Sequence, residues 1–141
     1  MLNSFFNPSI PMIPLNDGYW HHLGLTWSSE RKELVVLVDG VLRANLTELV
    51  GISRIPDGGM LIIGQRLKTN TLEISNANVF EGEISQFNIW NRALSGFELE
   101  KMAKTVSGKE SGNFINWFDI SEYVSDGTEI VTPSTAESTG M

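Results

Sequence analysis

The most constraining feature of this sequence is a two-residue turn, Asp39-Gly40, between two apolar segments of strand length. The first segment runs from Leu34 to Val38, and the second runs from Val41 to Leu46. Tight hairpin turns need positive φ, which glycine adopts without steric cost, so this pattern predicts a β-hairpin. Because residues 34–38 are apolar at every position, we expect their strand to be buried on both faces, as inside a sandwich.

Residues 20–27, just before this hairpin, predict another strand. His21, Leu23, Leu25 and Trp27 would share one face, and Trp20, His22, Gly24 and Thr26 would share the other. The two histidines would then point to opposite faces, so they could not bind one metal ion together. We expect His22 to be packed or hydrogen-bonded. The four tryptophans could stack on sugars, but core packing is the favoured interpretation for Trp20, Trp27, Trp90 and Trp117.

The rest of the chain predicts further short strands and one surface helix. The helix is expected at about 95–106, because Ser95 and Glu98 form a capping box and Leu94 and Leu99 can form the accompanying hydrophobic staple. Its apolar stripe would end near Val106, with Gly108 as the C-cap. The other strands are expected at 60–63, 80–90, 113–120 and 128–131, with a long polar loop at 65–79. The sum is an all-β sandwich with one short helix.

Length and composition limit the possible function classes. The 141 residues suggest one domain at 20–131, preceded by an extended, Pro-punctuated segment at 1–19 and followed by a Ser/Thr-rich linker at 132–141. A net charge of −7 argues against nucleic-acid binding. The absence of cysteine excludes disulfides and thiolate zinc sites. The sequence has no apolar run long enough for a transmembrane helix, and we expect that residues 1–14 are not a secretory signal.

The segment from His22 to Ser29 resembles the pentraxin signature H-x-C-x-[ST]-W-x-[ST]. The matching fixed positions are His22, Thr26, Trp27 and Ser29. Similar matches follow in family order: Leu37-Val38-Asp39-Gly40, Leu61-Ile62-Ile63-Gly64-Gln65, Gly82-Glu83-Ile84, Asn88-Ile89-Trp90, Ala93-Leu94-Ser95 with Glu98, Asn113, Asn116-Trp117 and Tyr123. The resemblance implies an antiparallel jelly-roll β-sandwich of the laminin-G or concanavalin A-like kind. It also implies a non-enzymatic extracellular domain, of a type that often binds ligands through two calcium ions.

Two departures from the family concern the framework of the fold. Gly24 stands where the signature has its disulfide cysteine, so no bridge can form at this position. Removing such a bridge typically costs roughly 2–5 kcal/mol. About the first third of the pentraxin domain also has no counterpart in this sequence. We therefore expect a partial sandwich with unpaired edges and exposed apolar faces, for which self-association is possible.

A third departure concerns calcium. After Gly64-Gln65 the family places a Glu-x-Asp ligand run, whereas this chain has Arg66-Leu67-Lys68. Ser75 and Asn78 stand where an acidic ligand and an amide ligand would be expected. Calcium takes six to eight oxygen ligands, usually with several carboxylates, and two cations oppose its binding. We therefore expect no cofactor and no metal site.

These observations lead to an expectation about function. The chain is expected to be a ligand-recognition or adhesion module, extracellular or at the cell surface, within a larger mosaic protein. An adhesion G-protein-coupled receptor with a Ser/Thr-rich stalk is one such parent. The ligand would be an extracellular protein or a glycan, the only link to a membrane would be through the parent receptor, and Asn45-Leu46-Thr47 could carry N-linked glycan.

Three alternatives remain open at this point. The chain could be a calcium-dependent lectin, a truncated isoform with a structural role only, or a carbohydrate-active enzyme on the same sandwich. The enzyme would need paired carboxylates. Asp119, Glu122 and Asp126 form a loose acidic cluster, but solvated turn residues are the favoured interpretation. No catalytic residue is predicted.

Overall fold

The computed structural model describes residues 14–47, 61–67, 74–75, 79–105, 110–124 and 128–131. Its elements are β1 (Leu23–Ser28), β2 (Glu33–Val38), β3 (Val41–Leu46), β4 (Arg66–Leu67), β5 (Ile74–Ser75), α1 (Gly96–Lys104) and α2 (Trp117–Ile120), and α2 continues into a 3₁₀ turn at Ser121–Tyr123. None of the helices among the described residues is long and apolar enough to cross a membrane. The predicted all-β class is confirmed in a partial form, with one three-stranded sheet, a short hairpin and mostly irregular connections.

The predicted Asp39-Gly40 hairpin lies at the centre of the fold. β1, β2 and β3 form an antiparallel sheet in that order, and Val38 pairs with Val41 across the two-residue turn. Asp39 and Gly40 have φ values of 53° and 74°, the positive pair that a tight hairpin turn needs. A bulge between Val36 and Leu37 shifts the register of β3.

One face of this sheet packs against α1. Leu37 is buried in one cluster with Leu94 and Leu99, and Trp90 and Met102 pack against this cluster. The capping box and the staple residues are confirmed, since Ser95 is the N-cap and both leucines are buried. The helix ends earlier than the sequence predicted: Thr105, rather than Gly108, is the C-cap. Thr105 closes the helix because its amide bonds to the carbonyls of Lys101 and Met102.

The other face of the sheet is apolar along all three strands, and we call it the far face. The strand register places nine residues on it: Leu23, Leu25, Trp27, Leu34, Val36, Val38, Val41, Ala44 and Leu46. The central residues Val36 and Val38 are buried, whereas Leu23, Leu25 and Val41 are each more than half exposed. The prediction that residues 34–38 are buried on both faces is confirmed for Val36, Leu37 and Val38, whereas Leu34 and Val35 are only half-buried. The edges of the far face are open to solvent.

Several strand predictions were wrong. Within 80–90 and 113–120 the structure has only one bridge, between Ile89 and Ile115, and residues 117–120 are helical. Residues 61–63 and 128–131 form no strand. Between 80–90 and 113–120, a side-chain amide takes some of the bonds that a ladder would otherwise make. The Asn88 Oδ1 atom accepts from the amides of Gly112 (3.0 Å) and Trp117 (3.2 Å).

Candidate functional site

The most organised polar group in the described structure surrounds His21. Its Nδ1 atom lies 2.8 Å from Asp39 Oδ2, and its Nε2 atom lies 2.9 Å from Asp17 Oδ1. Both carboxylates also accept backbone amides, Asp17 from Tyr19 at 3.0 Å and Asp39 from His22 at 2.8 Å. The three side chains thus join the loop before β1 to the β2–β3 turn.

Local structure places each member of this group. Asp17 lies in the predicted Asn-Asp-Gly turn, where its side chain accepts the amide two residues on and Gly18 has a φ of 83°. Asp39 is held in the hairpin turn, and its own amide donates to the His22 carbonyl at 2.9 Å. His21 lies between them with its side chain 19% exposed.

The pKa shifts within this group all favour the charged forms of its three side chains. The hydrogen bond to Asp39, followed by the one to Asp17, raises the pKa of His21. The Tyr19 amide and then His21 lower the pKa of Asp17, and His21 and then the His22 amide lower the pKa of Asp39. The arrangement therefore favours an imidazolium between two carboxylates.

This group was not predicted from the sequence, although the closeness of the histidines to Asp39 could have been predicted. Asp39 was interpreted only as a turn residue. Pairing of Ser28 with Glu33, continued back along β1, places His22 opposite Asp39. That register would have put a histidine pair beside the turn carboxylate. The contact with Asp17 depends on the path of the loop, which no period in the sequence encodes.

The residues that match the pentraxin signature contribute buried polar atoms. Thr26 is 7% exposed, and Trp27 and His22 are half-buried. His22 Nδ1, Thr26 Oγ1 and Trp27 Nε1 are buried without a hydrogen-bond partner among the described residues. Ser29 is exposed in the turn after β1. These four positions thus lie in or beside the sheet, and they do not converge on one pocket.

Gly24, at the signature's cysteine position, faces α1. A Cβ atom placed on it would lie 3.2 Å from Leu99 Cδ2 and 3.4 Å from Leu99 Cβ. The helix side chain therefore occupies the space beside this strand position. The close approach gives a physical reason for a residue without a side chain here.

The positions that correspond to the family's calcium loop form a two-stranded pair where the structure describes them. Arg66 pairs with Ser75 across β4 and β5, and Leu67 pairs with Ile74. Lys68 and Asn78 lie outside the described residues. Across the described ranges, no group of three or more histidine, cysteine, aspartate or glutamate residues could hold a metal ion.

Core packing was predicted for all four tryptophans, and the outcome differs among them. Trp27, Trp90 and Trp117 are half-buried, and Trp90 packs on the core beneath α1. Trp20 is 64% exposed, so its predicted core placement was wrong. It lies beside Tyr19, which is 79% exposed, in the loop joined to His21. Trp20 is exposed because β1 begins only at Leu23, so no neighbouring strand covers it.

The remaining predicted residues lie on the surface. Asn45 is exposed on the edge strand β3, where its side chain is accessible. Asp119 and Glu122 are exposed in α2 and the 3₁₀ turn, and Asp126 lies outside the described residues. An ion pair lies at the N-terminus of α1, where Arg92 donates to both carboxylate oxygens of Glu98, at 2.6 and 3.2 Å.

Comparison with known proteins places this geometry in context. A laminin-G-type family described as the concanavalin A-like lectin/glucanases superfamily matches residues 10–100. The chain is 36% identical over 106 residues to the Sushi, von Willebrand factor type A, EGF and pentraxin domain-containing protein 1 of Rattus norvegicus, covering 74% of this chain and 3% of that protein. It is 35% identical over 115 residues to neuronal pentraxin-2 of Cavia porcellus, covering 80% of this chain and 27% of that protein.

A solved structure resembles the fold. The S-layer domain-containing protein (residues 221–444) from Clostridium thermocellum superposes with a TM-score of 0.51 at 23% identity, over 65% of this chain and 42% of that one. At this identity the likeness concerns the fold alone. The chain thus spans about a quarter of the neuronal pentraxin that it matches and a small part of the multidomain protein.

Proposed function

Because this chain belongs to the concanavalin A-like lectin/glucanases superfamily and carries a pentraxin-like domain, we propose that it is a non-enzymatic recognition or adhesion module of a larger extracellular protein. Its ligand would be a protein or a glycan, bound without the pentraxin calcium site. The observation that carries this proposal is the match to pentraxin-named relatives, combined with Arg66-Leu67-Lys68 in place of the acidic calcium run.

The relatives support a module rather than an independent protein. The rat relative's name gives its pentraxin domain beside Sushi, von Willebrand factor type A and EGF domains, so the domain occurs there as one part of a mosaic chain. Mosaic architecture is typical of proteins that present binding domains outside the cell. A receptor or adhesion role fits the polar, Ser/Thr-rich composition of residues 132–141.

Two observations argue against calcium dependence. Calcium requires six to eight oxygen ligands, whereas the first ligand run is occupied by two cationic residues. Arg66 is also a strand partner of Ser75, so two of the loop positions are joined by a backbone ladder.

The geometry also argues against glycosidase chemistry at the His21 group. A glycosidase needs one carboxyl with a raised pKa as the general acid and a second carboxylate as nucleophile or base. Asp17 and Asp39 lie on opposite sides of one imidazole, and the pKa of each is lowered. Neither can therefore hold a proton at neutral pH for donation to a leaving group.

The surface that best fits ligand contact is the Tyr19–Trp20 pair. Both side chains are mostly exposed and adjacent in one loop, next to two carboxylates. Tyrosine and tryptophan are enriched at binding interfaces because they offer a large apolar area with a polar tip. Aromatic rings beside hydrogen-bonding carboxylates suit either a sugar or a protein loop.

Calorimetric titration of the full chain with calcium chloride tests the first half of the proposal. We expect no binding tighter than millimolar. The double variant Arg66→Glu/Lys68→Asp restores the acidic run and serves as the matched comparison. Submillimolar affinity in the unmodified chain would contradict the calcium-independent mechanism.

Binding of the labelled chain to a glycan array and to cultured cells tests recognition, in calcium and in EDTA. Equal signal in both buffers is expected, with a loss of at least tenfold in Trp20→Ala. Phe97→Ala is the control, because Phe97 is an aromatic residue of α1 that is 74% exposed. Binding that EDTA abolishes, or cleavage of arrayed glycans, would overturn the proposal.

A further inference from the structure

The geometry around His21 points to a function in pH response that goes beyond ligand recognition. We propose that Asp17, His21 and Asp39 form a proton-dependent latch, which fastens the loop at 14–20 to the β2–β3 turn while His21 is charged and loosens when His21 is neutral. The inference does not depend on which ligand the chain binds.

The protonation state of an imidazole determines how many hydrogen bonds it can donate. A neutral imidazole has one N–H donor and one acceptor nitrogen, whereas an imidazolium has two donors. Both ring nitrogens of His21 lie within 2.9 Å of a carboxylate oxygen. Ionised carboxylates only accept hydrogen bonds, so both contacts can form together only when His21 carries its second proton.

The two carboxylates are fixed independently of His21. Asp39 lies in the hairpin turn at a φ of 53° and also accepts the His22 amide. Asp17 accepts the Tyr19 amide within its own turn. Each carboxylate therefore stays oriented within its own turn when His21 loses a proton, and one ring nitrogen then presents a lone pair to a carboxylate. That repulsion separates the loop from the sheet at one of the two contacts.

The titratable groups around the latch come from four parts of the fold. The loop contributes Asp17, the turn contributes Asp39, and His22 follows His21 just before β1. Helix α1 packs beside the turn, where a Cβ on Gly40 would lie 3.6 Å from Glu100 Cγ, and Glu100 is paired with Lys104. Since that helix pair is internally neutralised, the two aspartates dominate the field at His21.

The direction of the pH response follows from the pKa shifts. The pKa of His21 is raised above its ordinary value of about 6.5, so the latch is fully closed below that value and opens as pH rises through the raised pKa. The pKa values of Asp17 and Asp39 are lowered from their ordinary value of 3.8, so acid opens the latch only as pH falls through those lowered values. Between these limits His21 fastens the loop that carries the exposed Tyr19 and Trp20 to the hairpin turn.

Histidine titration by NMR on the full chain tests the latch directly. The chain has two histidines, so His21→Gln assigns the remaining signals. We expect the His21 pKa to lie above 6.5, and to fall toward 6.5 in Asp17→Asn and in Asp39→Asn. Asparagine preserves both turns, because it tolerates positive φ and its side chain can still accept an amide. Asp119→Asn, an exposed carboxylate in α2, is the matched control and should leave the titration unchanged.

Backbone nitrogen-15 relaxation supplies a second readout that does not depend on the titration. The heteronuclear NOE of the loop amides at 15–20 should decrease as pH rises through the His21 pKa, because the loop is then held by one contact fewer, and His21→Gln should remove that pH dependence. A His21 pKa at or below 6.5, or the same pH dependence of the loop NOE in His21→Gln, would overturn the latch.

Discussion

The contact between Gly24 and Leu99 gives the most quantitative prediction about this fold. Leu99 is 3% exposed and lies in the cluster that joins α1 to the sheet. A Cβ on Gly24 would lie 3.2 Å from its Cδ2 atom, which is closer than the usual carbon–carbon contact of about 3.5–4.0 Å. The two residues should therefore be energetically coupled, and the coupling can be measured with Leu99→Ala, Gly24→Ala and the double variant.

The magnitude follows from the geometry. Leu99→Ala alone should lower the local opening free energy by about 2–5 kcal/mol, because it leaves a cavity in the core. Gly24→Ala alone overpacks the site, which costs about 1 kcal/mol at the low end of such changes. In the Leu99→Ala background the same methyl group fills vacated space and gains about 0.8 kcal/mol. The effect of Gly24→Ala on the unfolded chain cancels between backgrounds, so a coupling of about 2 kcal/mol is expected.

Native-state amide exchange of β1 and β2 is the appropriate assay, because it reports local opening without requiring a two-state global transition. Leu25→Ala is the control: it removes the same atoms from a leucine that is 58% exposed on the far face of β1. It should change the opening free energy by less than about 1 kcal/mol. Additivity of Gly24→Ala and Leu99→Ala within about 0.5 kcal/mol would refute the packing argument.

Four further predictions concern single sites. Hydrogen bonds from Arg92, and then from the Ser95 amide and hydroxyl, lower the pKa of Glu98 to about 2. The contribution of ionised Glu98 to the stability of α1 is therefore present above about pH 4.5 and is lost as pH falls toward 2. Carbon-13 titration of its carboxyl checks the value, and Ser95→Ala should destabilise the helix by about 1 kcal/mol in amide exchange. Thr26→Val should raise the opening free energy of β1 by about 1 kcal/mol, because the Thr26 hydroxyl is buried without a partner among the described residues; a decrease would contradict this. Secreted from eukaryotic cells, the chain should carry N-linked glycan that Asn45→Gln abolishes, and an unchanged gel mobility after glycosidase treatment would count against it.

The sequence predicted well those elements whose determinants are local. The hairpin required only Asp39-Gly40 between two apolar runs, and the start of α1 required only Ser95 and Glu98 at the right spacing. Both sets of bonds close within a few residues. The register of β1 against β2 follows from the short turn between them, so half of the His21 group was also within reach.

The elements that sequence reasoning missed depend on contacts distant in the chain. Residues 80–90 and 113–120 have strand composition, but asparagine side chains join them instead of a continuous ladder. Asn91 and Asn113 exchange bonds in both directions, with the Asn91 amide donating to Asn113 Oδ1 at 3.0 Å and Asn113 Nδ2 donating to Asn91 Oδ1 at 2.8 Å. The turn propensity of asparagine predicts that these residues lie in turns, but it does not indicate which two turns will contact each other.

The size of the far face limits what it can bind unaided. Three strands spaced about 4.8 Å apart, each six residues long at about 3.3 Å per residue, cover roughly 300 Å². A stable protein interface buries about 800 Å² on each partner. The exposed side chains lie at the edges of this face, at Leu23, Leu25 and Val41, whereas its centre at Val36 and Val38 is already buried. We therefore infer that self-association through this face alone would be weak, and that tight association would need surface beyond the three-stranded sheet.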